Sequence, residues 1–169
     1  MKHKVLIVRI ILIALILTWM FLIFGFSAED GDESQSLSDK ITIKVVRIIK
    51  PNYDSMPKKE QKVFFIKVSY IVRKIGHFGE YGILGLLVTG FLITFEKIRN
   101  IDKKRYIVGF TTLWCLLYAM TDEIHQMFVD GRSAKILDVF VDVFGGCLSA
   151  VIFVLILKRI DKRKKYEEV

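Results

Sequence analysis

Residues 5–26 read VLIVRIILIALILTWMFLIFGF, broken by one charge, Arg9. At about 1.5 Å rise per residue, 22 helical residues reach roughly 33 Å, enough for a hydrocarbon core of about 30 Å. Three further apolar blocks follow, Ile75–Phe95, Tyr106–Met120 and Ile136–Leu157. The third is the shortest, and its spacing predicts helical continuation through Thr121–Phe128. Lipid offers no partner to backbone N–H and C=O groups, so an open segment that crosses it must be helical. The expectation is an all-α membrane protein, a four-helix transmembrane bundle in one domain over residues 1–169. Its spans are about 5–26, 75–95, 106–122 and 136–157.

Composition agrees. Of 169 residues, 53% are hydrophobic and 26% charged, with a mean hydropathy of +0.42. The apolar residues are pooled and the charges packed between them. That pattern excludes intrinsic disorder, a disulfide scaffold and a water-soluble globule. Cys115 and Cys147 both lie in apolar blocks and read as small packing residues. Met1–Lys4 with the first block also fits a cleaved signal peptide, but the apolar run is longer than the usual 7–15-residue signal core.

Positive charges beside the spans set orientation. With a cytoplasmic N-terminus, the inner side collects 14 Lys/Arg and five acids, a net of +9; the outer side holds 12 and 13, a net of −1. The opposite orientation would put the +9 set outside. The N- and C-termini are therefore expected in the cytoplasm, with Lys104 as a surface residue of an inner loop. The excess of +8 then reflects topology in a bacterial plasma or inner membrane, and no zinc-finger, phosphate-loop or RNA-binding motif points to nucleic acid.

The outer segment, residues 27–74, is more than a linker. Leu37, Ile41, Val45 and Ile48 recur at helical spacing, with Lys40, Lys44 and Arg47 on another face. This predicts an amphipathic helix on the outer leaflet. Pro51 and Pro57 end it, and a basic amphipathic stretch from Lys58 to Lys74 leads into the second span.

Ionisable residues within the spans gather at one end. His77, Glu80 and Tyr81 begin the second span; Asp122, Glu123, His125 and Gln126 end the third; Asp138 and Asp142 begin the fourth, with Arg132 in the connection. Charges at membrane depth are costly, so they face the bundle interior, find partners and mark function. Asp138, Asp142, Gly145 or Gly146, and Ser149 form one polar and small stripe along the fourth helix, and small residues there permit close helix contact.

At these residues the chain resembles the VanZ-like family of bacterial membrane proteins. The matching stretches are Arg73–Gly85 (RKIGHFGEYGILG), Asp122–Phe128 (DEIHQMF), Gly131-Arg132 and Asp138-x-x-x-Asp142-x-x-Gly145, with a looser match in the serine-rich segment Ser27–Ser38. The resemblance covers residues 20–155. Asp130 stands where proline is common, Asp142 where asparagine is frequent, and Ser149 where glycine often sits. The resemblance implies work in the cell envelope near peptidoglycan precursors, and a link to resistance against the glycopeptide antibiotic teicoplanin.

Three readings of the cluster remain open. It is an outward-facing site for a lipid-linked, cell-wall or lipoglycopeptide ligand, with Arg132 suited to phosphate or carboxylate. Or it is the centre of a membrane enzyme using acid/base or metal-assisted chemistry. Or its residues hold four helices together through buried ion pairs, Lys74 or Arg132 with Asp138 or Glu80. The spacing matches no established zinc pattern, so no metal or other cofactor is assigned. The lipid bilayer is the expected partner.

Overall fold

A computed structural model describes residues 2–28, 31–99, 104–130 and 134–167. The described residues hold six α-helices and one short 3-10 turn, with no strand. They are α1 (Lys2–Ala28), α2 (Gly31–Ile49), the turn Tyr53–Ser55, α3 (Lys58–Leu92), α4 (Glu96–Arg99), α5 (Lys104–Gln126) and α6 (Ile136–Glu167). Helices α1, α3, α5 and α6 are each long and apolar enough to cross a membrane. The chain is a multi-pass, all-helical membrane bundle.

Two helix boundaries that differ from the sequence expectation bear on the site. The second span is the lower part of one uninterrupted 35-residue helix that begins at Lys58, directly after Pro57. Proline fits there because its missing N–H would be unsatisfied at a helix start in any case. The third helix runs past the expected span end at 122 but stops at Gln126, short of the expected continuation to Phe128: the chain leaves the helix in tight turns, with Met127, Phe128 and Val129 donating to carbonyls three residues back.

Helices α3 and α6 form the central contact, and small residues make it close. A Cβ added at Gly85 would stand 2.5 Å from the Gly146 carbonyl oxygen and from Ser149 Oγ. One added at Gly145 would run into the carbonyl of Phe78, and one at Gly146 would lie 2.5 Å from Cys115 Sγ of α5. Gly79 differs, with nothing within 4 Å of its added Cβ. The core above and below this contact joins Ile16 and Ile23 of α1 to Tyr81, Leu84 and Val88 of α3, Cys115 and Ala119 of α5 and Val154 of α6. Helix α1 is also stitched in by polar bonds. Trp19 Nε1 donates to the Glu80 carbonyl at 2.8 Å, and Tyr118 Oη donates to the Met20 carbonyl at 2.5 Å. The large apolar side chains left exposed, such as Leu17, Phe21, Phe140, Phe144 and Ile156, face outward and suit a lipid surround.

At one end of the bundle, Arg9 donates to Thr94 Oγ1 and its carbonyl (3.0 and 2.9 Å) and lies over the Phe95 ring. At the same end, Lys104 Nζ meets Asp161 Oδ2 at 2.6 Å. Lys104 is 0% exposed, so it is a buried ion-pair residue and not the surface residue expected from its loop position.

At the other end, α2 and the first half of α3 form an arm with its own small core of Val46, Tyr53 and Val68. Helix α2 is amphipathic as expected: Ile41 and Ile48 of the expected stripe stay exposed, and a second face, with Thr42 and Val46, is buried against α3. Leu37, first of the expected apolar stripe, lies where side chains are outside the described set.

Candidate functional site

The site lies where α3, α5 and α6 meet, beside the base of the arm. Helix α5 ends and α6 begins at this depth, while α3 passes through it on the way from the arm into its span. From α3, Lys74 pairs with Asp138 of α6, with side-chain exposures of 15% and 9%. One turn further along α3, His77 Nδ1 lies 3.3 Å from Oδ1 of Asp142, which is one turn further along α6. The matching i, i+3/i+4 steps on two packed helices bring both pairs into register, and the Gly85–Gly146 contact below them brings the helices close enough to pair.

Helix α5 supplies the acids on the third side. Gln126 Nε2 donates to Asp122 Oδ2 over a long 3.4 Å, and Ser27 of α1 lies beside the same carboxyl. Glu123 Oε2 accepts the backbone N–H of Lys135 at 2.7 Å, holding the chain as it enters α6. Asp138 N–H then bonds to the Lys135 carbonyl at 2.7 Å, so Glu123 of one helix helps cap the next.

The polar groups are not all satisfied. Asp122, Glu123, Asp138 and Asp142 are all buried. Glu123 Oε1 and Asp142 Oδ2 have no hydrogen-bond partner among the described residues. The hydroxyl of Tyr81, a residue with 0% exposure, is also unpartnered and lies within electrostatic reach of Asp122 and Asp142. Native interiors leave few such atoms, since each costs about 1–3 kcal/mol. With half-buried Glu80, five carboxylates here face Lys74, His77 and the exposed Arg73 and Lys135. The recess is acidic and rich in acceptors, with the Tyr81 hydroxyl able to donate or accept.

The expected site residues therefore divide. His77, Tyr81, Asp122, Glu123, Gln126, Asp138 and Asp142 converge. The Glu80 carboxylate acts electrostatically on His77, while the Glu80 backbone carbonyl holds Trp19. His125 turns toward α1 and stacks on Phe24, ring centroids 4.0 Å apart. Arg132 lies outside the described residues. Sequence reading alone did not bring in Ser27 or the Lys135 backbone. Ser27 carried a faint signal as the first serine of a run directly after the first span. The bond to Lys135 N–H has no side-chain signature. Among the described residues, no three His, Cys, Asp or Glu side chains are placed to share a metal ion.

The sequence pattern of the VanZ/LLP1 family matches residues 12–157. The chain belongs to the VanZ/LLP1 family. The match starts within the first span, takes in the expected second, third and fourth spans, and covers every residue of the recess, so the polar cluster lies inside the family's own extent. No curated protein and no solved structure matches the chain.

Proposed function

We propose that the recess is an extracytoplasmic recognition site for the polar part of a lipid-linked, cell-wall or glycopeptide-type ligand. The observation that carries this reading is the set of unpartnered acceptors, Glu123 Oε1 and Asp142 Oδ2, with the Tyr81 hydroxyl, buried at one end of a membrane bundle. A ligand presenting ammonium or hydroxyl groups would satisfy them, and its apolar tail would lie along the lipid-facing helices. The charge bias supports the orientation: a +9 set at the Arg9–Lys104 end suits the cytoplasmic side of a plasma or inner membrane. VanZ/LLP1 membership makes teicoplanin the first ligand to test.

The test is expression of wild type, Glu123→Gln and Asp142→Asn in a glycopeptide-sensitive host. Teicoplanin inhibitory concentration is read beside membrane abundance. The proposal expects wild type to raise the inhibitory concentration and both variants to lose most of that rise at equal abundance. Variants equal to wild type would overturn the role of the recess, and an inert wild type would remove the glycopeptide ligand.

One observation favours a second reading, acid/base chemistry on a lipid or wall substrate. The His77–Asp142 pair has the form of an imidazole oriented by a carboxylate. Chemical turnover of a lipid-linked precursor by purified protein, abolished in His77→Gln with binding retained, would select it. Binding without turnover would discard it.

A further inference from the structure

We propose that the α2–α3 arm is a docking surface for the headgroups of anionic phospholipids. Between Lys40 and Lys67 the chain carries eight Lys/Arg and two acids, Asp54 and Glu60, a net of +6. Three of the lysines, Lys50, Lys59 and Lys67, line a groove of about 330 Å³ whose other walls are Met56, Val63, Phe64 and Glu60. Lys50 Nζ lies 5.4 Å from the Phe64 ring centre, so a cation and an apolar wall are presented together.

The apolar residues of the arm identify a bilayer as the occupant. On α2, Ile41, Ile48 and Ile49 are exposed, with Ile48 at 79%, beside the exposed basic arc of Lys40, Lys44 and Arg47. Basic residues flanking an exposed apolar stripe is the arrangement of a helix seated at a lipid interface. On α3, the exposed run Val63, Ile66, Tyr70 and Ile71 continues into Ile75 of the span without a break. The lipid-facing surface of the bundle therefore extends up the arm. Length agrees: 35 residues make about 52 Å, and a tilt of roughly 35° fits that to the ~40–45 Å of a bilayer with its headgroup layers. Lys58, Lys59 and Lys62 then sit at headgroup level. Phosphate there would meet the lysines, with its acyl chains beside Val63 and Ile66. An anionic lipid surface attracts such residues at about fivefold in affinity per lysine.

The probe is local to the arm, because the opposite end of the bundle is also basic. The full chain carries a fluorophore on Ser55→Cys, an exposed position in the turn between α2 and α3. It is reconstituted in phosphatidylcholine vesicles doped with headgroup-nitroxide phosphatidylglycerol or headgroup-nitroxide phosphatidylcholine. The proposal expects phosphatidylglycerol to quench at least severalfold more than phosphatidylcholine. That preference should be lost, to within about twofold of equal quenching, in K50Q/K59Q/K67Q and persist in K50R/K59R/K67R. Equal quenching by the two lipids, an unchanged preference in the glutamine variant, or no quenching by either would overturn it. So would equal quenching by a soluble nitroxide phosphate, which would make the groove a site for free phosphate.

Discussion

Replacing Lys74 by methionine removes the cation paired with Asp138, and the structure sets the size of the consequence. The pair is largely buried, at 15% and 9% side-chain exposure, so water replaces little of what the ammonium supplies. Breaking one side of a buried pair costs about 3–5 kcal/mol. The ceiling is the cost of protonating the stranded carboxyl at pH 7 from an ordinary aspartate value near 3.9, about 4 kcal/mol. The partial exposure of Lys74 places the expected loss near the lower figure, about 3 kcal/mol, or roughly 150-fold in the folding equilibrium. Asp138→Asn should cost less, about 1–2 kcal/mol, because the long lysine stem can carry its charge toward the interface. The double variant Lys74→Met/Asp138→Leu strands neither charge and should return to within about 1 kcal/mol of wild type. The assay is detergent unfolding of purified protein, followed by helical circular dichroism. Single variants within about 0.5 kcal/mol of wild type, or losses that simply add in the double variant, would refute the pairing and the register of α3 on α6 with it.

Two further outcomes are expected. Gly85→Ala drives a methyl to 2.5 Å from backbone of α6 and should cost about 1–3 kcal/mol by the same unfolding assay, whereas Gly79→Ala meets nothing within 4 Å and should be neutral or stabilising. In intact cells, a membrane-impermeant thiol reagent should label Ser55→Cys and leave Lys158→Cys untouched; the reverse pattern would invert the proposed orientation.

The spans were legible because lipid permits so little else: four apolar blocks could only become four helices. The depth of the polar cluster was legible for the same reason, since His77, Asp122 and Asp138 interrupt those blocks near shared ends. Pairing was not. That Lys74 meets Asp138 while His77 meets Asp142 depends on how far α3 slides along α6, which Gly85, Gly145 and Gly146 decide through contacts between distant parts of the chain. Helix α2 was legible as an amphipathic helix with Ile41 and Ile48 on its outward stripe, but it is apolar on two sides, and the packing of its second side was not. Its spacing marks Ile41 and Ile48 as readily as Ile43 and Val46, and only the position of α3 selects the face that is buried. His125 shares its helix turn with Asp122, yet the approach of Phe24 on α1 turns it away. Lys104 read as a loop charge because Asp161, its partner, is 57 residues away.

The recess exists only if side chains of separate spans meet at one depth, and the His77–Asp142 contact is the most exacting instance. Solid-state NMR on protein in lipid, with ¹⁵N-histidine and ¹³C-aspartate labels, measures that contact directly. With Nδ1 and Oδ1 at 3.3 Å, an imidazole nitrogen should show dipolar dephasing from a carboxyl carbon within roughly 5 Å. That signal should vanish in His77→Gln. No dephasing at that range, or dephasing that survives the substitution, would contradict it.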